Sequence, residues 1–118
     1  SDAWASYPGA PAIGTRIWAI DHLPKCGVHS VDLDGFPILL VASASGLRGF
    51  VNACPHQFLP LTYRSHDILS PDGETLRCSV HDAGFDAETG QGIDGYGQGC
   101  SLDQLPLRIE DGFLRVGR

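Results

Sequence analysis

The sequence predicts an all-β protein in which antiparallel strands form a β-sandwich. Asp-Gly dipeptides at 34–35, 72–73 and 111–112 each separate two apolar stretches, a pattern typical of tight β-hairpin turns. Fifteen glycines and eight prolines indicate many further turns. No segment keeps a 3.6-residue apolar period over three turns, so any helix is short, and 101–104 is the best place for one.

Alternating polar and apolar residues, together with short apolar runs, place the strands between these turns. The predicted strands are 15–20, 28–33, 36–43, 47–53, 67–70, 74–78, 105–110 and 113–116. The stretch 82–99 contains six glycines and no dense apolar pattern, which predicts a loop. The first dozen residues are rich in Pro, Gly, Ala and Ser, which predicts a frayed lead-in.

Length, composition and charge restrict the function. A chain of 118 residues predicts a single domain, 1–118, with a modest core. Only eight Lys and Arg stand against fourteen Asp and Glu, which argues against nucleic-acid binding because phosphate backbones select clustered cations. No apolar run reaches the roughly 18 residues of a membrane span, and the first residues lack a secretory signal pattern. We therefore expect a cytoplasmic protein with no membrane partner.

Two short motifs combine thiol and imidazole groups. Cys54 and His56 lie in CPH, and Cys78 and His81 lie in CSVH. Two thiolates and two imidazoles can bind zinc or iron. Structural zinc sites of this composition usually take both cysteines from one motif, whereas each motif here offers one ligand of each kind. That order suits a dinuclear cluster in which one iron binds the cysteines and the other the histidines.

Cys26 and Cys100 lie outside both motifs and are interpreted as ordinary thiols, with a disulfide between them left open.

With these motifs, the downstream segments GFDAETGQ and LPLRIEDGFLRV make the sequence resemble the Rieske [2Fe–2S] family and, within it, the soluble Rieske-type ferredoxins of multicomponent oxygenase systems. The likeness runs from about residue 15 to 116. It implies a Rieske-type antiparallel β-sandwich base, from about 15–52 and 100–118. A small cluster-binding subdomain, about 53–99, then contains the two ligand loops.

The resemblance also implies one [2Fe–2S] Rieske cluster and its ligands. Cys54 and Cys78 are expected on the inner iron, and His56 and His81 on the outer iron. An apolar cover limits solvent access to such a centre and tunes its potential. The expected cluster shield comprises Phe58, Leu59 and Phe85.

The resemblance further implies a low reduction potential. High-potential members of the family carry a disulfide between the cluster loops, at places that Leu59 and Val80 occupy here. They also have a serine hydroxyl that donates to a cluster sulfide, where this chain has Ala83. Without that donor the reduced, more negative cluster is less stable.

The functional prediction is a one-electron carrier and not an enzyme. The chain is too short to hold a substrate pocket or a second metal site beside the cluster loops. By the resemblance, it takes electrons from a flavin-dependent reductase and gives them to a terminal oxygenase, both in transient contacts. One alternative is a subunit or domain of a larger redox complex such as a reductase. Another is a structural zinc-binding module, which would be colourless.

Acidic residues cluster near the second ligand motif and allow two interpretations. They are a docking patch for a partner, or they are a solvated loop. The residues concerned are Asp82, Asp86, Glu88 and Asp94.

Overall fold

The computed structural model describes residues 2–55 and 58–118. These residues form nine strands and two short 3-10 helices, Ala3–Ser6 and Ile20–His22. The strands are β1 Arg16–Ala19, β2 Gly27–Leu33, β3 Phe36–Ser43, β4 Gly46–Val51, β5 Thr75–Arg77, β6 Ala83–Asp86, β7 Gly92–Gly95, β8 Leu107–Glu110 and β9 Phe113–Val116. Every strand pair among them is antiparallel, which confirms the all-β prediction. No helix in the described part of the chain is long and apolar enough to cross a membrane.

The described strands form three three-stranded sheets. Their orders are β1-β9-β8, β2-β3-β4 and β5-β6-β7. Two of the three predicted Asp-Gly hairpins join neighbouring strands directly. Asp34 and Gly35 have φ of 51° and 88°, and Asp111 and Gly112 have φ of 52° and 79°, as the type I′ turn requires at both central residues.

The third Asp-Gly prediction is only partly correct. Gly73 closes a turn by donating its N–H to the Ser70 carbonyl at 2.9 Å. The predicted strand 67–70 is not formed, and a single bridge between Leu69 and Leu76 stands in its place. The physical reason is local competition, because the Asp72 carboxylate accepts hydrogen bonds from the Ser70 hydroxyl and the Glu74 N–H in place of a longer ladder.

The prediction of a loop over 82–99 is wrong, because this stretch contains β6 and β7. Its glycines serve close backbone approach. A β-carbon built at Gly92 would lie 1.7 Å from the Gly97 carbonyl oxygen, and one at Gly95 would lie 1.9 Å from the Asp82 carbonyl oxygen. The lack of a side chain at Gly95 therefore lets β7 lie against the second ligand loop, and the lack of one at Gly92 lets the chain after β7 fold back against it.

The prediction of a frayed lead-in is wrong for the described residues 2–12, and the prediction of a helix at 101–104 is also wrong. Trp4, in the first 3-10 helix, is only 4% exposed, and the Tyr7 hydroxyl donates to the Asp103 carboxylate at 2.7 Å. This lead-in is therefore packed against the sheets. Residues 101–104 are not helical, and Gln104 forms a β-bridge with Phe50. In this conformation the side chain of Leu102 is buried in the core.

Strand β3 separates two hydrophobic cores, which explains its continuous apolar sequence. Successive side chains of a strand point to opposite faces, so a strand buried on both faces reads as an apolar run. The base core contains Phe36, Ile38 and Leu40 of β3 with Trp4, Ile17, Val51, Leu105, Leu114 and Val116. The ligand-side core contains Leu39 and Val41 of β3 with Val28, Phe50, Cys54, Leu61, Ile68, Leu76, Cys78, Ala83, Phe85, Ala87 and Leu102. Burial of each large side chain contributes about 1.5–3 kcal/mol.

Replacing Gly92 by alanine is expected to lower the thermal unfolding midpoint by about 10 °C or more, because the added β-carbon overlaps the Gly97 backbone and backbone overlap costs about 3 kcal/mol. Gly99→Ala is the matched control. A β-carbon there meets nothing within 4 Å and adds only left-handed backbone strain of about 1–2 kcal/mol. Differential scanning calorimetry compares the two, and an equal effect would contradict the close-approach role.

Candidate metal centre

The first ligand loop leaves the sheet after β4 and folds back on itself. Cys54 is completely buried, and its N–H donates to the Leu59 carbonyl at 2.7 Å. The Phe58 N–H donates in turn to the Cys54 carbonyl at 2.5 Å. Phe58 has φ of 60°. This left-handed conformation is energetically unfavourable for any residue other than glycine. The tight return therefore places Cys54 inside and Phe58 at the surface.

The second ligand loop joins β5 to β6. Cys78 is buried, and its N–H donates to the Ala83 carbonyl at 3.0 Å, while the Ala83 N–H donates to the His81 carbonyl at 2.8 Å. His81 is half-buried and its ring meets the Tyr96 ring edge-on, with centroids 6.4 Å apart. This loop presents a thiol toward the core and an imidazole nearer the surface.

The two loops bring three donor groups together. The Sγ atoms of Cys54 and Cys78 and a ring nitrogen of His81 all lie within 4.8 Å of one another. Among residues 2–55 and 58–118, these three side chains form the one group of three or more Cys, His, Asp or Glu residues that could hold a metal ion. His56, the fourth ligand expected from the sequence, lies outside the described residues.

The donor chemistry suits zinc or an iron–sulfur centre. Thiolates are soft ligands that select these metals, and imidazole binds both. The ligand-side core around the two cysteines is apolar, which keeps water away and favours metal–sulfur bonds over exposed thiols. Geometry alone does not choose between the metals.

An ion-pair group holds the two ends of the second ligand loop. Arg77, directly before Cys78, contacts Asp82, directly after His81, at 2.6 Å, and Asp94 of β7 at 2.8 Å. Its guanidinium, chiefly by hydrogen bonding, lowers the pKa of the Asp94 carboxyl, and Asp94 raises the pKa of Arg77. Gly84 lies between them in the sheet, where a β-carbon would come within 2.4 Å of Asp94. The side chains of these three residues are between 44% and 79% exposed, so solvent screening keeps the contribution of each pair to stability small.

The four acidic residues near the second ligand motif have local partners in the structure. Asp82 and Asp94 share Arg77, and Glu88 pairs with Arg48 at 3.3 Å. Asp86 accepts the N–H groups of Glu88 and Thr89, and these bonds lower its pKa. Much of this negative charge therefore stabilises the β5-β6-β7 sheet and its turns.

The predicted shield residues differ in exposure. Phe85 is completely buried and packs in the ligand-side core with both cysteines. Leu59 is half-buried, whereas Phe58 is 69% exposed. The shield role of the three residues stays a prediction.

Cys26 is exposed and Cys100 half-buried, and both are free thiols, so the disulfide left open by the sequence is not formed.

Sequence reasoning missed two residues that contact or flank the ligand loops through polar side chains, Arg77 and Asn52. The interaction of Arg77 depends on cross-strand register, which the sequence does not reveal. Asn52 carried a signal, because it is a polar residue directly after an apolar strand and two positions before a ligand cysteine.

This fold and donor set define a β-sheet metalloprotein domain whose site comes from two Cys/His loops. The model of the Rieske [2Fe–2S] domain family matches residues 15–106. The chain belongs to this family, and its cofactor is a [2Fe–2S] cluster. Family membership thus decides between the two metals that the donor chemistry allows, and the paired buried thiols with a nearby imidazole fit that cofactor.

Solved structures share the fold at low sequence identity. The ferredoxin of carbazole 1,9a-dioxygenase from Nocardioides aromaticivorans IC177 is 17% identical, with 89% of this chain and 97% of that chain covered and a TM-score of 0.71. The Sphingomonas yanoikuyae B1 ferredoxin is 19% identical, with 89% and 98% covered and a TM-score of 0.69. A third match is a complex of reduced oxygenase and oxidized ferredoxin in carbazole 1,9a-dioxygenase, 17% identical, with 88% and 92% covered and a TM-score of 0.69. A search of the curated proteins gave no match.

Proposed function

We propose that this protein is a one-electron carrier, a Rieske-type ferredoxin, which receives electrons from a flavin-dependent reductase and passes them to a terminal oxygenase. The observation that carries the proposal is the convergence of two buried thiols and a half-buried imidazole from two loops in a chain of the Rieske family. The matched ferredoxins are covered over 97% and 98% of their length, which supports a carrier role.

The ligand assignment is part of this proposal. Cys54 and Cys78 hold the inner iron, and His56 and His81 hold the outer iron. When bound, the [2Fe–2S] cluster takes up and releases one electron. The buried cysteines hold the centre in the apolar ligand-side core, and the half-buried His81 lies on the side from which a partner approaches. Phe58, Leu59 and Phe85 limit the access of water.

In this proposal the partner proteins, and not the carrier, catalyse the reactions. The matched complex of oxygenase and ferredoxin supports an oxygenase as the acceptor, and a flavin-dependent reductase is the donor that converts a two-electron reductant into single electrons. The base, about 15–52 and 100–118, supports the subdomain, about 53–99, which carries the ligands. We place the carrier in the cytoplasm, where such a reductase has access to reduced nicotinamide.

Reconstitution tests the proposed function. The protein is mixed with a flavin-dependent reductase and a terminal oxygenase from the same organism, and substrate oxidation is followed with and without the carrier. Turnover is expected to depend on the carrier and to saturate with its concentration. Cys26→Ser, which changes an exposed thiol outside the site, should support the same rate. Turnover that is unchanged when the carrier is omitted would count against the proposal.

The midpoint potential is expected to lie below about 0 mV, in the lower part of the range of histidine-ligated centres. Ala83 is completely buried in the ligand-side core with both cysteines and has no hydroxyl to donate to a sulfide. Ala83→Ser is expected to raise the potential by roughly 50–150 mV, the value of one charge-assisted hydrogen bond in a one-electron couple. A redox titration followed in the visible range measures both, and a wild-type midpoint well above 0 mV contradicts the expectation.

A further inference from the structure

Asn52 is a buried polar residue at the base of the first ligand loop. Asn52 is only 3% exposed. Burying an amide costs free energy unless its polar groups are hydrogen-bonded. Both of its polar atoms have partners. Oδ1 accepts the Leu61 N–H at 2.9 Å, and Nδ2 donates to the Thr62 hydroxyl oxygen at 3.0 Å.

These bonds close the loop that carries the first pair of ligands. Asn52 precedes Cys54 by two positions, and Leu61 lies beyond the return of the loop. The Asn52 N–H donates to the Pro37 carbonyl of β3 at 3.1 Å, so the closing residue is itself anchored to the central sheet. The Asn52 side-chain amide therefore joins the residue two positions before Cys54 to Leu61 and Thr62, which follow the first ligand loop.

The backbone of Leu61 also contacts the second ligand loop. The Leu61 carbonyl accepts the N–H of Ser79 at 2.9 Å, and Ser79 directly follows Cys78. The Ser79 hydroxyl accepts the Arg64 N–H at 2.9 Å. A continuous path of hydrogen bonds therefore runs from Asn52 through Leu61 to the residue beside the second cysteine.

We propose that Asn52 is a positioning residue for the metal centre, which fixes the first ligand loop and, through the backbone N–H and carbonyl of Leu61, sets Cys54 against Cys78. The inference rests on the ligand set proposed above. Asn52 touches no reacting atom. Its role is to hold the two loops at the separation that the cluster needs, and outer contacts of this kind tune both affinity and electronic structure of metal sites.

Asn52→Ala in the cluster-loaded protein tests the proposal. Iron release to a chelator is expected to become about 10- to 100-fold faster, and the EPR g values of the reduced protein are expected to shift. Tyr7→Phe is the matched control, because it removes a hydrogen bond to Asp103 in the base, away from both loops, and should change neither readout. Wild-type g values and release rate in Asn52→Ala would overturn the proposal, even if its melting temperature fell.

Two milder variants keep the test decisive if Asn52→Ala gives no folded protein. Thr62→Val removes the bond to Nδ2 and keeps the bond to Leu61, whereas the short side chain of Asn52→Ser cannot maintain either. Iron release is expected to be faster in Asn52→Ser than in Thr62→Val, and an equal or reversed order would overturn the proposal. Wild-type protein that binds no cluster would refute the proposed function itself, whereas a normal wild type with insensitive variants refutes only the role of Asn52.

Discussion

Cys78→Ser is expected to give a colourless protein without bound iron or acid-labile sulfide. Cys78 is buried, and its Sγ lies within 4.8 Å of the Sγ of Cys54 and a ring nitrogen of His81. A serine hydroxyl is a hard, protonated oxygen that replaces a soft thiolate poorly in an iron–sulfur centre. Loss of this ligand should therefore remove the whole cluster.

The chain contains its own control for this substitution. Cys26 and Cys100 are free thiols outside the site, so Cys26→Ser and Cys100→Ser should retain the iron, sulfide and visible spectrum of the wild type. Metal and sulfide analysis of the three proteins, purified side by side without oxygen, compares them. Full cluster content in Cys78→Ser would exclude this thiol as a ligand.

His81→Cys is expected to change the visible spectrum and to lower the midpoint potential by roughly 100 mV or more. The substitution keeps a ligand but replaces a neutral imidazole by a thiolate, and added negative charge opposes reduction. Centres with four cysteines accordingly lie near −400 mV, against about −150 to +300 mV with two histidines. Redox titration and EPR of the reduced protein measure the effect.

His66→Cys is the matched control for His81→Cys. His66 is exposed and its Nε2 lies 2.9 Å from the Ser30 hydroxyl oxygen, outside the group of three donors. The spectrum and potential of this variant should match the wild type. If His81→Cys also matched the wild type in both measurements, His81 could not be a cluster ligand.

Much of the fold could be predicted because its signals are local. Strand β3 has the predicted bounds, 36–43, since its apolar run is bounded by an Asp-Gly turn before it and a second turn after it. The two type I′ hairpins follow from Asp-Gly dipeptides that supply positive φ. The cysteines and His81 that the sequence selected do meet in space, because each lies where the chain leaves a strand.

The error over 82–99 arose because glycine is compatible with two opposite structural roles. In 82–99 the sequence indicates low propensity for regular structure, but Gly92 and Gly95 allow backbones to pack closely and β6 and β7 to form. Only the position of the neighbouring backbone in the folded chain distinguishes a flexible glycine from one that allows close packing. The same limit hid the Arg77 ion pairs, since Asp94 comes near Arg77 only after β7 pairs with β6.

The second ligand loop illustrates how modest forces can define a metal site. Exposed ion pairs from Arg77 contribute little stability singly, and the hydrogen bond from Cys78 to Ala83 is an ordinary one. Phe85 and Leu76 are buried in the same core as the cysteines, and burial of each contributes about 1.5–3 kcal/mol. The site is thus positioned by the ligand-side core and refined by its polar contacts.

Metal and sulfide analysis, combined with EPR of the dithionite-reduced wild-type protein, tests the central claim most directly. We expect a red-brown protein with iron and acid-labile sulfide in equal amounts and, after reduction, the signal of a [2Fe–2S] centre with mixed cysteine and histidine ligands. A colourless protein that contains zinc and no sulfide, prepared without oxygen, would contradict the claim.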